Sequence, residues 1–242
     1  MRMPARGRDG MGLELTDAQT QTLVELFPQV RTARVSEQGQ RAFLALVETE
    51  QVRRGHPEPG TGAFHRSALL SGAVFKGEFD LSIHGHTGFP LGALAVDVRE
   101  MILFNQRFGF PAGDAFLRKV VETLADTLPS TKIVRTHDDG FVALFLPSAD
   151  VQMNEGHRTQ AREGLEEMSR EHTALLGGDS YSVSFTLASL QLTLKNMSHA
   201  FVLGPLALAE VERAYTLERM GKVQGLQTRE LDLQGTVPPR DP

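Results

Sequence analysis

Apolar positions fall into helical spacing near the start of the chain. Past residue 62 they alternate between helical and strand-like runs. Thr16 opens a predicted helix with Gln19 as its capping-box partner, Leu23, Val24 and Phe27 form its apolar face, and Pro28 ends it. A second helix is predicted from Ser36 to about Arg54, with Phe43, Leu44, Leu46 and Val47 on one side. Between Gly55 and Gly62, two prolines and three glycines read as a linker, which places a domain boundary there.

The spacing then predicts a short helix over His65 to Phe75 and a loop-like or weakly extended stretch from Gly77 to Pro90. Leu91 to Val98 is a compact apolar run carrying Asp97 near its end, the pattern of a buried strand. Phe116, Leu117, Val120, Val121 and Leu124 recur at helical spacing within Ala112 to Leu128. Lys132 to Thr136 and Phe141 to Leu146 are strand-like runs flanking His137-Asp138-Asp139-Gly140. An Asp-Gly step between such runs predicts a hairpin whose glycine accepts a positive φ. A polar helix from Glu155 to Leu176 stops at Gly177-Gly178, Tyr181 to Leu190 reads as a strand, and Pro205 to Met220 is a helix stopped by Gly221. From Thr228 on, three prolines and little apolar surface predict a loose tail.

Composition narrows the class. With 242 residues, 40% of them hydrophobic, the chain can bury one good core and carry a small helical appendage. No apolar run approaches the roughly 18 residues of a membrane span, and Met1 to Met11 lacks the apolar stretch of a secretory signal. The absence of cysteine excludes disulfides, thiol catalysis and cysteine-held metals. A net charge of −5 argues against a nucleic-acid binder. A cytoplasmic protein is the expectation.

The stretch from Asp97 to Asp114 resembles the signature D-x-D-x-F-K-x-x-N-D-x-x-G-H-x-x-G-D of the GGDEF (diguanylate cyclase-like) family. Asp97, Asn105, Gly109, Gly113 and Asp114 match in register without a gap. The His137–Phe141 hairpin falls where the family's GGDEF hairpin lies and is preceded by Arg135. Glu58 to Arg66, Tyr181 to Phe185 and Glu210 to Val223 are similar, in order, to three further family segments. The resemblance implies an α/β fold like the nucleotidyl-cyclase palm: a central, mainly antiparallel sheet flanked by helices, with a small helical N-terminal module in front. The expected organisation is a disordered start (1–12), a helical module (13–56), a degenerate GGDEF domain (57–227) and a flexible C-terminal tail (228–242).

Members of that family join two GTP molecules into cyclic di-GMP, with two carboxylates holding divalent metal. Asp97 and Asp139 match those two and are the remnant metal candidates. Asn105 and Asp114 match the guanine-reading pair and are the candidates for residual nucleotide binding. Several positions depart from the pattern. The motif reads His137, Asp138, Asp139, Gly140, Phe141: side chains replace the first two glycines, and glycine replaces the fourth-position acid. Arg99 replaces the second acid of D-x-D, Met101-Ile102 the F-K pair, and Glu218 the phosphate-binding lysine. Two unit charges about 4 Å apart interact by roughly 4 kcal/mol at an effective dielectric near 20, so an acid in place of that lysine repels a triphosphate. The inhibitory R-x-x-D product site corresponds to Leu128-Pro129-Ser130-Thr131, which has neither arginine nor carboxylate, so the cyclic di-GMP inhibitory site is absent.

Each candidate also has a plainer role. Asp114 and Asn105 suit helix capping and a loop backbone, and Asp97 and Asp139 suit a strand end and a turn. His84 and His86 have metal-like spacing but no third ligand, and His137 suits a solvent-exposed hairpin tip as well as a base or pH-sensitive contact. The expected function is therefore that of a catalytically inactive regulatory or scaffolding protein in bacterial signalling, a pseudo-enzyme with no catalytic residue and no cofactor. Its partners would be proteins of a signalling or polarity complex, with no nucleic acid and no membrane span. The two N-terminal helices suit a homodimer interface or folding back on the domain equally well. The alternative is a non-catalytic sensor binding GTP or a related ligand at the remnant site.

Overall fold

The structure, a computed structural model, describes residues 57–58, 60–76, 78, 88–149, 151–178, 181–195 and 203–232. All lie in one compact unit, Val52–Pro242. The two predicted N-terminal helices and the His84/His86 pair fall outside the described residues.

In chain order the elements are β1 (Phe64–His65), α1 (Arg66–Leu70), β2 (Phe89–Val98), α2 (Met101–Phe108), α3 (Phe110–Thr127), β3 (Lys132–His137), β4 (Gly140–Phe145), α4 (Glu155–Leu175), β5 (Phe185–Lys195), α5 (Leu203–Arg219) and β6 (Leu226–Asp232). The six strands form one sheet in the order β1-β3-β4-β2-β5-β6. The four inner strands pair antiparallel, and β1 and β6 join the edges in parallel.

Strand β2 runs through the middle, and its alternation builds two cores. Leu94, Val96 and Val98 face the layer made by α2, α3 and α4, where Phe104, Phe116, Leu124 and Leu165 are buried. Leu91, Ala93 and Ala95 face α1 and α5, against Leu69, Leu203, Ala207 and Val211. A sheet covered on both faces explains why β2 reads as an unbroken apolar run. At Gly92 a Cβ would come within 2.7 Å of Met153 Cβ and 2.9 Å of Phe145 Cβ, so this crossing admits only glycine.

The helix ends follow local chemistry. Pro111 lies in the first turn of α3, where its missing N–H costs nothing. Asn154 and His157 form a reciprocal capping box that starts α4. Gly72, at φ 77°, separates α1 from a short 3-10 turn over Ala73–Phe75, so the predicted helix across His65 to Phe75 is two pieces.

Three expectations need correction, and one element was not predicted. The segment after Pro57 is no free linker: Glu58 N–H donates to Ala63 O (2.8 Å) and Gly62 N–H to Glu58 O (2.9 Å), closing a turn on the domain. A helix, α2, fills Met101–Phe108 inside the signature stretch; its exposed Ile102 and Leu103 blur the periodicity that would have betrayed it. Strand β5 starts at Phe185 and runs to Lys195, later and longer than the predicted Tyr181 to Leu190. The first residues of the expected flexible tail belong to strand β6 (Leu226–Asp232), whose Leu-Gln-Thr-Arg-Glu-Leu-Asp carries no strand signal because this edge strand fully buries only Gln227.

Gly204 sits where α5 crosses α1, and a Cβ there would lie 1.8 Å from Leu69 O. Gly204→Ala should cost about 1–3 kcal/mol by overpacking. Urea unfolding should show this as a lower midpoint at unchanged slope, and an unshifted midpoint would mean that the helices meet elsewhere.

Candidate functional site

The site forms at one end of the central strands. Asp97, next to last in β2, pairs across to Gly140 on β4 and to Thr186 on β5. The β3–β4 hairpin turns through Asp138 and Asp139 between the paired His137 and Gly140. Asp139 O accepts from Val98 N–H at 3.0 Å, which fastens the turn to the end of β2. Arg135 braces it from below, donating to Glu58 (3.2 Å) and to Asp138 O (2.5 Å), with its guanidinium 6.0 Å from the Phe141 ring centre. Phe141 itself is buried in the core.

His137 decides the character of this end. Its Nδ1 lies 3.0 Å from Asp139 Oδ1, and its Nε2 lies 3.9 Å from Asp97 Oδ1. The ring therefore lies between the two carboxylates that the resemblance assigns to metal. As a direct two-carboxylate seat the arrangement does not fit, because an imidazole already spans it. Asp97, His137 and Asp139 nevertheless each offer a ligand atom within 4.8 Å of the others.

Gly140 was expected to supply a positive φ, but it is not among the positive-φ residues. Its missing side chain serves otherwise. A Cβ at 140 would stand 2.1 Å from the His137 ring. The turn works with Asp138 and Asp139 at its centre, and glycine at 140 makes room for the imidazole.

Tyr215, on α5, donates its hydroxyl proton to Asp97 Oδ2 at 2.7 Å. Burial first, then this hydrogen bond and the charge of Asp97, push the Tyr215 phenol up to about 12, so it stays a donor at neutral pH. Sequence reading matched Tyr215 only as part of a helix resemblance. Nothing in the linear chain tied it to a residue 118 positions away. The space enclosed beside Asp97, His137 and Tyr215 amounts to ≈ 40 Å³, little more than one water's share of the liquid, about 30 Å³. A wider cleft of ≈ 260 Å³ also borders His137 and is lined by Glu58, His65, Arg66, Arg135 and Asp138.

The remaining candidates are placed as follows. Asn105, on α2, turns its carbonyl oxygen onto Gly113 of α3, and that oxygen is buried without a hydrogen-bond partner. Asp114, the next residue, is exposed. The α2–α3 corner, turned by Gly109 at φ 85°, thus brings the pair together but points Asn105 inward. Arg99 donates to Thr186 Oγ1 at 3.1 Å.

Glu218 needs a correction. It was expected as a bare negative charge in the phosphate path, yet it forms a hydrogen-bonded ion pair with Arg158 of α4. Both side chains are largely buried, at 14% and 11% exposure for Arg158 and Glu218. Arg158 also reaches Leu187 O at 3.4 Å. The pair joins helices from opposite faces of the sheet, so the charge at 218 is neutralised within the fold.

A mixed six-stranded sheet covered by helices on both faces, with an acidic hairpin beside the end of its central strand, is the architecture of nucleotide-cyclase-type GGDEF domains. The family model "Diguanylate cyclase, GGDEF domain" matches residues 69–200, more than half of the chain, and the chain belongs to that family. Among solved structures it is similar to the diguanylate cyclase SiaD of Pseudomonas aeruginosa, in complex with its activator SiaC: 16% identity over 87% of this chain and 75% of that one, TM-score 0.51. It is also similar to the FimX GGDEF domain of P. aeruginosa (15% identity, 73% and 99% covered, TM-score 0.49). A third is the GGDEF domain of DgcB from Caulobacter crescentus, in complex with c-di-GMP (14%, 72% and 95%, TM-score 0.47). These likenesses concern the fold. No curated protein matches the chain. No helix among the described residues is long and apolar enough to cross a membrane.

Two outcomes follow from this geometry. Glu218→Lys should not restore a phosphate site. It sets two largely buried cations together and should cost about 3–5 kcal/mol, as breaking a buried pair does, read as a fall in the urea midpoint; an unchanged midpoint would refute the pairing. For Tyr215, a raised phenol pKa means that the folded state favours the protonated form. The resulting stability is full below the ordinary value of 10.0 and is lost as pH climbs through about 12. Tyr215→Phe should remove that part of the alkaline destabilisation. Asp97→Asn should bring the phenol only part of the way back in an absorbance titration, because burial is the larger cause.

Proposed function

We propose that this GGDEF-family protein makes no cyclic di-GMP and acts as a regulatory or scaffolding protein of bacterial signalling in the cytoplasm, through contacts with protein partners. The observation that carries the reading is the imidazole of His137, standing between Asp97 and Asp139. Metal that activates a ribose hydroxyl and neutralises phosphate charge must reach both carboxylates directly, and the imidazole holds that position. The lack of a free cation at 218 supports the same reading, since Glu218 and Arg158 satisfy each other.

Exposed apolar side chains on α2 and at the start of α3 favour a protein partner. Ile102 is 75% exposed and Leu103 52% on α2, and Phe110 is 74% exposed at the start of α3. Large exposed apolar groups are a common mark of an interaction surface. The N-terminal helices, the other candidate surface, lie outside the described residues. The sensor reading is weaker, because Asn105 directs its carbonyl into the α2–α3 contact rather than toward a base.

Incubation of the purified full chain with GTP and magnesium or manganese should yield no cyclic di-GMP, and any enzyme-dependent product would overturn the reading. Isothermal titration with GTP, GDP and guanosine should give no binding heat at near-millimolar ligand. Guanosine-dependent heat abolished by Asp114→Asn would establish the sensor instead.

A further inference from the structure

We propose that Asp97 and His137 form a binding site for a divalent transition metal of the zinc class, with Asp139 and Tyr215 holding the two ligands in position. The inference does not rest on the partner-binding reading. It also differs from the arrangement implied by family resemblance, in which Asp97 and Asp139 are both direct ligands of a hard cation.

The geometry of the imidazole carries it. A carboxylate can only accept, so the 3.0 Å contact between His137 Nδ1 and Asp139 Oδ1 puts a proton on Nδ1. In the neutral ring the lone pair is then on Nε2, the nitrogen that faces Asp97 Oδ1 at 3.9 Å. Metal–nitrogen and metal–oxygen bonds of about 2.0–2.2 Å at tetrahedral angles put two ligands about 3.4 Å apart, so the pair needs to close by only about 0.5 Å.

Both ligands are held from behind. Asp139 fixes the tautomer and direction of the ring, as a carboxylate behind a metal-bound histidine does. The Tyr215 hydroxyl occupies Asp97 Oδ2 and leaves Oδ1 toward the ring. Gly140 supplies the space in which the ring lies. His137 is 52% exposed while Asp97 is 17% exposed, so an ion can enter from the solvent side and keep water in its remaining positions. The donor set selects the metal: imidazole nitrogen suits zinc, nickel or copper, whereas magnesium prefers oxygen throughout.

The full chain should be titrated with zinc chloride and, separately, with magnesium chloride by calorimetry, and loaded with cobalt for its visible absorption. One equivalent of zinc should bind, far more tightly than magnesium. Because the chain has eight histidines, the variants decide. His137→Ala and Asp97→Asn should each abolish that equivalent and the cobalt bands, and His137→Gln guards against a folding defect at the hairpin. Asp139→Asn should weaken zinc about 10–100-fold, as loss of a group orienting a ligand does, while keeping the cobalt spectrum. Absence of zinc binding, zinc uptake indifferent to His137→Ala and Asp97→Asn, or magnesium binding as tight as zinc would each overturn the proposal.

Discussion

The acidic end of the molecule follows from the register of β2 between β4 and β5. That register sets Asp97 opposite Gly140 on one side and Thr186 on the other. It also turns Asp97 toward the α5 layer, where Tyr215 can reach it. A slip of one residue would invert every side chain of the strand. Leu94, Val96 and Val98 would then face the wrong core, and Asp97 would enter the layer that holds Phe104 and Phe116. The two apolar cores hold that register, so the position of the acidic site is a consequence of packing far larger than the site itself.

Two departures at the hairpin prove to be one. A side chain at 137 and its absence at 140 look unrelated as positions in a motif. In space the ring of His137 lies where a Cβ of residue 140 would be. An acid at 140 and an imidazole at 137 could not share the hairpin in this conformation. Glycine at 140 is therefore the condition for the His137 ring to lie between the carboxylates.

Charge is handled in the same local way. Glu218 meets Arg158, Arg135 meets Glu58, and Glu210 accepts from both Arg213 and Arg229. Desolvation opposes the charge of Glu210, but the two guanidiniums prevail and lower its pKa. Adding charges along the sequence predicted repulsion toward phosphate. The fold pairs Glu218 with Arg158 across elements, so position 218 presents neither a free cation nor a bare anion.

How much was legible follows from the same physics. Apolar periodicity marked β2, α3, the hairpin and α5, because each buries a face and burial leaves its spacing in the sequence. The resemblance of one stretch to the family signature singled out Asp97, Asn105 and Asp114 as candidates. Elements that bury little left no such trace: α2 exposes Ile102 and Leu103, and β6 is a polar edge strand. Residues brought in from distant elements were equally silent, Tyr215 for Asp97 and Arg158 for Glu218. The linear pattern was enough for the family and the core. Which charges meet, and where the His137 ring lies, was settled in three dimensions. Those contacts depend on how helices and strands pack, and separation along the chain carries no record of distance in space.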